Sequence, residues 1–399
     1  MIIYLITIIL SLTIIYFAEK FFRHSKVSFW ILAFLSLIPS AVIAGIRDFS
    51  VGDDISSYVY PNFMVATGMS SLPNFLKYMT YVKEIGNFDY RTGVHQTEVG
   101  YSTFIYYISR FSNDPHVLLF LIQLICSIFI LFSLYIIKNK YHISLVLGFF
   151  IYYTGFYIIG LNLMRQFIAA AILLLAVSFL INENYISYFI FQFLAMLFHI
   201  SALLGIIIFL IFVLMNSKKN GWKIFNSNNY FLIGLISILF IFVFGKTIFS
   251  AFYSIALHIP QLSGHLGSFT TSGGMNRRIA ILVSWELLLL YLSSRISKFK
   301  DINKNSDLLR IIRIFSVTGV IGIILISLIS VQGVVYRMGF MFTFSSIIIL
   351  PILQTKFSNT KKIGFLMFLV GIFVFSGLIY INYADTVPYT STILENLGL

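Results

Sequence analysis

Long apolar runs, separated by short clusters of basic residues, repeat along nearly the whole chain. A helix needs about 20 apolar residues to cross the hydrocarbon core of a bilayer, and many of these runs approach that length. They predict membrane helices near positions 1–18, 29–46, 117–137, 142–160, 163–181, 185–215, 230–249, 278–294, 309–330, 336–353 and 363–381. The run 185–215 is too long for one crossing, so it predicts two short helices that turn near His199.

Composition supports an embedded chain, because hydrophobic residues make up 59% of the sequence and charged residues only 10%. Backbone groups in lipid must bond within the protein, and the runs are far longer than the roughly 10-residue strands of a barrel. We therefore predict an all-α, polytopic membrane helix bundle of roughly 11 to 14 transmembrane or re-entrant helices, organised as one domain over 1–399. The first run has neither a basic leader nor a cleavage site, which predicts a retained helix. The single cysteine, Cys126, excludes internal disulfides.

The net charge of +13 lies mostly in loops, so it indicates topology rather than nucleic-acid binding. With the basic clusters placed in the cytoplasm, both termini are predicted to be external. The stretches 47–116 and 250–276 then become external loops, which we expect to cover the active site. Segment 99–111 is too short to span and is predicted to be re-entrant or interfacial.

Most basic residues on the predicted external side are arginines, which bind phosphate or carboxylate through a planar, bidentate fork. Five lie near external helix ends: Arg47, Arg165, Arg277, Arg278 and Arg337. Arg165, in IGLNLMRQFIA, falls in the first turns of its helix, where free N–H groups also favour an anion. These arginines predict a phosphate site. Snorkelling, or pairing of Arg165 with Asp48 or Glu98, stays open as an alternative.

Four external acids, Asp48, Asp53, Asp54 and Glu98, are candidate general bases that the sequence does not rank. Either Asp53 or Asp54 also suits the N-cap of the helix that follows. Two adjacent aspartates are compatible with a divalent metal, but no His or Cys lies at a ligand spacing, so no metal site is predicted.

His199, in LAMLFHISALL, suits a proton relay or a hydrogen bond to a sugar, although a lone His in an apolar helix is more often a packing residue. Glu286 is the only acid predicted deep in a span, where acids are usually functional. Tyr58 and Tyr336 lie beside the charged candidates in the sequence.

Several motifs occur in a definite order along the chain: AGIRDFSVGDDISSY at 44–58, EVGY at 98–101, LNLMRQ at 161–166, LAMLFHISAL at 194–203, Tyr336-Arg337 and VPY at 387–389. In this order they resemble the EpsG family of polysaccharide polymerases, a branch of the Wzy-type enzymes. The family usually has Gly-Thr-Asp in the first loop. Asp53 takes the threonine place here, so the catalytic position corresponds to Asp54.

The resemblance implies a GT-C-like fold and a glycosyltransferase of the external face of the cytoplasmic membrane. It would transfer a growing glycan from undecaprenyl diphosphate to the nonreducing end of a lipid-linked repeat unit, without metal or cofactor, and a chain-length regulator is a candidate partner. The five arginines would bind diphosphate, and Asp54, Glu98 or His199 would activate the acceptor hydroxyl. Further substrate contacts are expected from Asp48, Tyr58, Tyr101, Asn162, Gln166, Ser201 and Tyr336.

Two other functions remain open at this point. A GT-C enzyme that adds single sugars from a polyprenyl phosphate would also use acids of the first external loop. A flippase for lipid-linked oligosaccharides would need a cationic cavity, but the charges gather on one face and no internal repeat is visible.

Overall fold

A computed structural model describes residues 2–216, 230–256, 277–296, 306–330 and 335–398. Most of the predicted external loop 250–276 lies outside the described residues, so that part of the prediction is not addressed. Contacts within the chain define two compact units, Met1–Leu203 with Leu378–Leu399, and Leu204–Gly377. The single-domain interpretation stays a prediction.

The first unit is built from helices and one small β-hairpin. Its α-helices up to the central region are α1 (Ile2–Phe21), α2 (Lys26–Leu35), α3 (Ile38–Gly45), α4 (Tyr60–Gly68), α5 (Leu72–Glu84), α6 (Val99–Phe111), α7 (Pro115–Tyr141), α8 (Leu145–Tyr152), α9 (Ile158–Gly160), α10 (Met164–Ile181) and α11 (Tyr185–Phe198). Strands β1 (Phe88–Asp89) and β2 (Val94–His95) pair antiparallel. Two π-helical segments (Ile55–Val59 and Tyr153–Tyr157) and 3-10 turns at Ile200–Leu204 and Tyr383–Asp385 complete this part, with a short C-terminal helix at Thr392–Asn396.

The second unit is described as a set of helices. They are Gly205–Asn216, Tyr230–Ala256, Arg277–Leu282, Ser284–Ile296, Ser306–Ser327, Val335–Met338, Phe340–Thr343, Ser346–Gln354 and Thr360–Tyr380, the last of which ends beyond the unit boundary. A 3-10 turn covers Leu328–Ser330.

The all-α prediction is confirmed, since the described strands are limited to the one hairpin. Seven described helices are long and apolar enough to cross a membrane, and four shorter apolar helices accompany them. The predicted break near His199 is also confirmed, because α11 ends at Phe198. The predicted run 29–46 is one candidate span with an internal interruption at Ser36 and Leu37.

Helix α10 is the core of the first unit. It packs against α7 and α11, and nearly all of its side chains are buried. Such a helix is apolar on every face, as its sequence shows. Because α10 begins at Met164, the packing fixes the position of the next residue, Arg165.

Candidate active site

The segment that follows α3 carries the first group of predicted site residues. Gly52 has a φ of +99°, a conformation that L side chains rarely adopt, so the turn into the π-helix Ile55–Val59 needs this glycine. The Asp54 amide N–H donates to Oδ1 of Asn162 at 2.9 Å. This bond docks the predicted catalytic loop onto the turn that precedes α10.

Arg165 lies in the first turn of α10, between a carboxylate and two tyrosine rings. Its Nη1 donates to Oε2 of Glu98 at 2.7 Å, and each side chain is about 20% exposed. The guanidinium carbon is 4.5 Å from the centre of the Tyr58 ring and 5.9 Å from that of Tyr101. The pairing with Glu98 is one of the alternatives that the sequence left open. Both the electrostatic pair and the cation–π contacts hold the fork in one orientation.

Glu98 connects three elements of the site. Its Oε2 accepts from Arg165, and its Oε1 accepts from the backbone N–H of Ile200 at 3.2 Å. Two residues later, a Cβ added at Gly100 would lie 2.7 Å from the backbone oxygen of Leu197. The glycine of EVGY therefore allows α6 to approach the end of α11 closely, which brings Glu98 to both partners.

Asp54 and the two tyrosines form the neighbouring part of the cluster. The Tyr58 hydroxyl donates to Oδ2 of Asp54 at 2.8 Å, and the Tyr58 and Tyr101 rings pack edge to face at 6.3 Å. Burial raises the pKa of both phenols, and the charge of Asp54 raises them further, so both remain protonated donors. Asp54 occupies the N-cap position of its helix without a capping side-chain bond, and its carboxylate accepts from Tyr58.

Two buried polar atoms in this cluster have no hydrogen-bond partner among the described residues. They are Nε of Arg165 and the hydroxyl oxygen of Tyr101. A buried donor without a partner is costly, on the order of 1–3 kcal/mol, and in native structures it calls for an explanation. Both atoms carry hydrogens that an anionic oxygen would accept.

His199 lies at the turn after α11 with an extended backbone. The Ser201 backbone N–H donates to its Nδ1 at 3.1 Å, and the Ser201 hydroxyl lies 2.7 Å from the same atom. A backbone N–H can only donate, so Nδ1 is the acceptor and Nε2 carries the hydrogen of the neutral ring. The turn itself is held by Gln192, whose amide donates to the Ala202 carbonyl.

Arg47 is placed differently from Arg165, because it is only 1% exposed. Its Nη2 lies 3.8 Å from the sulfur of Met164, while Nε and Nη1 have no hydrogen-bond partner among the described residues. Burial lowers the pKa of this guanidinium, and the neighbouring phenols of Tyr4, Tyr157 and Tyr389 oppose that effect. The structure thus encloses Arg47 behind the docked loop.

Asp48 accepts hydrogen bonds from the C-terminal segment. Its Oδ1 accepts from the Thr392 amide at 2.8 Å and from the Thr392 hydroxyl at 2.9 Å. These hydrogen bonds lower the pKa of Asp48, and the bond from the Thr392 backbone N–H has the largest effect. Nearby, Tyr389 donates to the Ile43 carbonyl at 2.9 Å. The last residues of the chain therefore brace the loop that carries Arg47 and Asp54.

The remaining predicted residues divide between the units. Gln166 is buried in α10 of the first unit. Arg277 and Arg278 begin a short helix of the second unit and are exposed there, while Tyr336 is buried and Arg337 half-buried. Glu286 is buried in the same unit.

Four residues near Arg47 and Asp48 were not predicted from the sequence to belong to the site: Tyr4, Tyr157, Tyr389 and Thr392. Only Tyr389 carried a signal, as part of the VPY motif. Among the described residues, no group of three His, Cys, Asp or Glu side chains is arranged to hold a metal ion.

Comparison with known proteins assigns the chain to a family. No curated protein and no solved structure matches the chain. The EpsG family matches it over residues 27–391, nearly its whole length. The chain therefore belongs to the EpsG family, whose members are Wzy-like polysaccharide polymerases.

Proposed function

We propose that this polymerase transfers a growing glycan from undecaprenyl diphosphate to the nonreducing end of a lipid-linked repeat unit, on the external face of the cytoplasmic membrane. The observation that carries the proposal is the Arg165 cluster. A guanidinium is fixed by Glu98, Tyr58 and Tyr101, and its Nε and the Tyr101 hydroxyl are buried donors without partners among the described residues. A diphosphate oxygen is an acceptor that satisfies such donors.

The reaction breaks the bond between the anomeric carbon of the donor glycan and the diphosphate oxygen. The acceptor hydroxyl oxygen forms the new bond to that carbon, its proton passes to a base, and the bonding electrons leave with the diphosphate. The leaving group gains negative charge as the bond breaks, and a fixed guanidinium stabilises that charge. Removing one such contact costs about 2.7–4 kcal/mol, or a factor of about 10²–10³ in rate.

Of the three candidate bases, we propose Asp54. Glu98 already accepts with both oxygens, from Arg165 and from Ile200, so its role is to position the arginine. His199 receives the Ser201 N–H at Nδ1, so its Nε2 is a donor in the neutral ring. Asp54 is half-buried, its Oδ2 accepts from the Tyr58 hydroxyl, and it stands at the acidic position of the family's first-loop motif. In this proposal it accepts the proton of the hydroxyl.

The other predicted contacts keep their assignments as proposals. His199, Ser201 and Gln166 would bind the sugars. Arg277, Arg278 and Arg337 remain proposed diphosphate contacts, and Tyr336 remains a proposed substrate contact. Arg47, which the described fold encloses, would act on the diphosphate through its charge and through the position of the loop.

The proposal is tested by reconstitution with synthetic lipid-linked repeat units, with and without a chelator, and with product length as the readout. We expect a ladder of repeat units. A single added sugar would instead support a monotransferase, and translocation without new bonds would support a flippase.

The matched variants are Arg165→Lys and Arg23→Lys, an exposed arginine on the predicted cytoplasmic side. Lysine keeps the charge but loses the planar fork. We expect Arg165→Lys to lower the polymerisation rate about 100-fold and Arg23→Lys to leave it unchanged. An inserted Arg165→Lys protein that polymerises normally would overturn the diphosphate assignment.

A further inference from the structure

The β-hairpin of the first unit is rigidly built at its tip. The Tyr78 hydroxyl donates to Oδ2 of Asp89 at 2.7 Å, and the Arg91 backbone N–H donates to Oδ1 of the same carboxylate at 2.9 Å. The Tyr78 oxygen is also 2.7 Å from the Thr92 hydroxyl. Asp89 is thereby buried beneath a turn that contains Tyr90.

The second strand of the hairpin is anchored to the body of the unit. The amide of Asn62, a fully buried residue of α4, donates to the His95 carbonyl at 2.8 Å. In return, the His95 backbone N–H donates to the Asn62 side-chain oxygen at 3.1 Å. This reciprocal pair fixes the strand as a neighbouring strand would, so the hairpin is held at both its tip and its base.

The hairpin presents a short row of rings, which we name the aromatic ridge: Tyr90, Phe88 and His95. Tyr90 is 89% exposed, and its ring meets that of Phe88 edge to face at 4.7 Å. Phe88 in turn lies 4.4 Å from the His95 ring. An exposed ring on a fixed support presents an apolar surface to a ligand, and binding residues are often carried on loops that a rigid scaffold positions.

The aromatic ridge is continuous with the candidate active site. Strand β2 packs against the π-helix that contains Tyr58. Burial lowers the pKa of His95, and the positive charge of Arg165 lowers it further. The outer end, Tyr90, projects from the hairpin tip.

We propose that the aromatic ridge is a saccharide-binding subsite, on which sugar rings of the lipid-linked glycan stack as the chain leaves the Arg165 cluster. This inference rests on the proposed function for the identity of the glycan. A pyranose ring has an apolar C–H face that packs on an aromatic face, and hydroxyls at its edge that need polar partners. The exposed Arg91 and Thr92 supply donors and acceptors beside Tyr90.

The rigid hairpin favours saccharide binding, because binding then orders few additional side chains. The tip also differs from a membrane anchor. Tyr90 is followed by Arg91, Thr92 and Gly93, and not by the aliphatic side chains that insert into lipid.

The first experiment measures glycan binding without catalysis. Oligosaccharides from partial acid hydrolysis of the cell's surface polysaccharide are added to the full-length protein in nanodiscs, and binding is followed by saturation-transfer NMR. We expect Tyr90→Ala to weaken binding about tenfold and Tyr90→Phe, which keeps the ring, to bind as the wild type does. Phe111→Ala, the matched control, removes another ring that is 83% exposed and should change nothing.

The second measurement uses polymer synthesis from lipid-linked repeat units. Tyr90→Ala should raise KM about tenfold and leave kcat unchanged, since the ring binds sugar in the ground and transition states alike. Wild-type affinity of Tyr90→Ala for the oligosaccharides would overturn the proposal, as would equal losses in Tyr90→Phe and Tyr90→Ala. Tyr90→Trp adds a fluorophore to the three native tryptophans. Quenching of that added fluorescence by brominated lipids, measured against the wild type, would also overturn the proposal by placing the tip in the bilayer.

The two proposals fail in different ways. If the wild-type protein makes no polymer but Tyr90→Ala loses oligosaccharide binding, the polymerase reaction is rejected and the saccharide-binding subsite is kept. If Tyr90→Ala changes neither polymer synthesis nor oligosaccharide binding, the polymerase reaction is kept and the saccharide-binding subsite is rejected.

Discussion

Replacing Glu98 with Gln tests whether this carboxylate acts by holding Arg165 or as a base in its own right. Glutamine keeps a side-chain oxygen for the Ile200 N–H but removes the charge that faces Arg165 at 2.7 Å. At that separation the Coulomb attraction is about 6 kcal/mol for an effective dielectric constant of 20. Removal of both groups from water offsets most of it, so the net loss is about 1–3 kcal/mol for a hydrogen bond between charged groups.

If Glu98 only positions the guanidinium, the lost interaction energy lowers the reaction rate because Arg165 is no longer held in its place. We expect Glu98→Gln to reduce kcat/KM for polymer synthesis between about 5-fold and 150-fold. Glu84→Gln, an exposed glutamate at the end of α5, is the matched control and should be neutral.

A double-mutant cycle then separates the two roles. When two residues act through one interaction, the double variant Glu98→Gln with Arg165→Lys loses little more than Arg165→Lys alone. The assay is the initial rate of polymer formation per inserted enzyme at several substrate concentrations. If the rate reductions of Glu98→Gln and Arg165→Lys multiply in the double variant, the positioning role is refuted and Glu98 is an independent catalytic group.

Four further predictions concern the scaffold and topology. Gly100→Ala should destabilise the protein by about 1–3 kcal/mol in thermal unfolding, since its Cβ would meet the Leu197 backbone, while Gly68→Ala, with open space around it, should not. Glu19→Gln should cost about 2–4 kcal/mol by removing the charge that pairs with Lys138 and by weakening the hydrogen bonds that Glu19 accepts at the start of α8, and adding Lys138→Met should restore only the part due to Lys138. Hydrogen bonds from Thr392 lower the pKa of Asp48 in the folded protein below its ordinary value. The stability that the Asp48 carboxylate contributes is therefore complete at neutral pH and is lost as the pH falls below about 4. Asp48→Asn should abolish this acid dependence of the unfolding midpoint. A reporter fused after Asn216 should report the cytoplasm, and an external signal would reject the predicted topology.

The helices were predictable because the membrane imposes a simple rule on sequence. A segment in lipid must be apolar and long, so its approximate position follows from hydropathy alone. The break at His199 was also predictable, because one crossing does not need 31 residues (185–215) at about 1.5 Å rise each. The interruption at Ser36 and the π-helix at Tyr153–Tyr157 were not, since both lie within runs that are apolar enough overall to be predicted as continuous spans.

The charged cluster was predictable in part. The position of Arg165 at a helix start followed from the sequence, but the choice of Glu98 as its partner depends on the close approach of α6 to α11 at Gly100. The bond from Thr392 to Asp48 joins residues 344 positions apart, and no local pattern signals such a contact. Long-range packing, rather than propensity, decides which predicted charges meet.

The pairing of Arg165 with Glu98 has a consequence for how the site would load its substrate. An isolated guanidinium at membrane depth is costly, so the empty site requires a counter-charge, which Glu98 supplies. Under the proposed function, the diphosphate brings further negative charge to the same cluster, in which Tyr58 links Arg165 to Asp54. Like charge raises the pKa of a carboxyl group. Binding of the donor would therefore make Asp54 a stronger proton acceptor at the moment when the acceptor hydroxyl must be deprotonated.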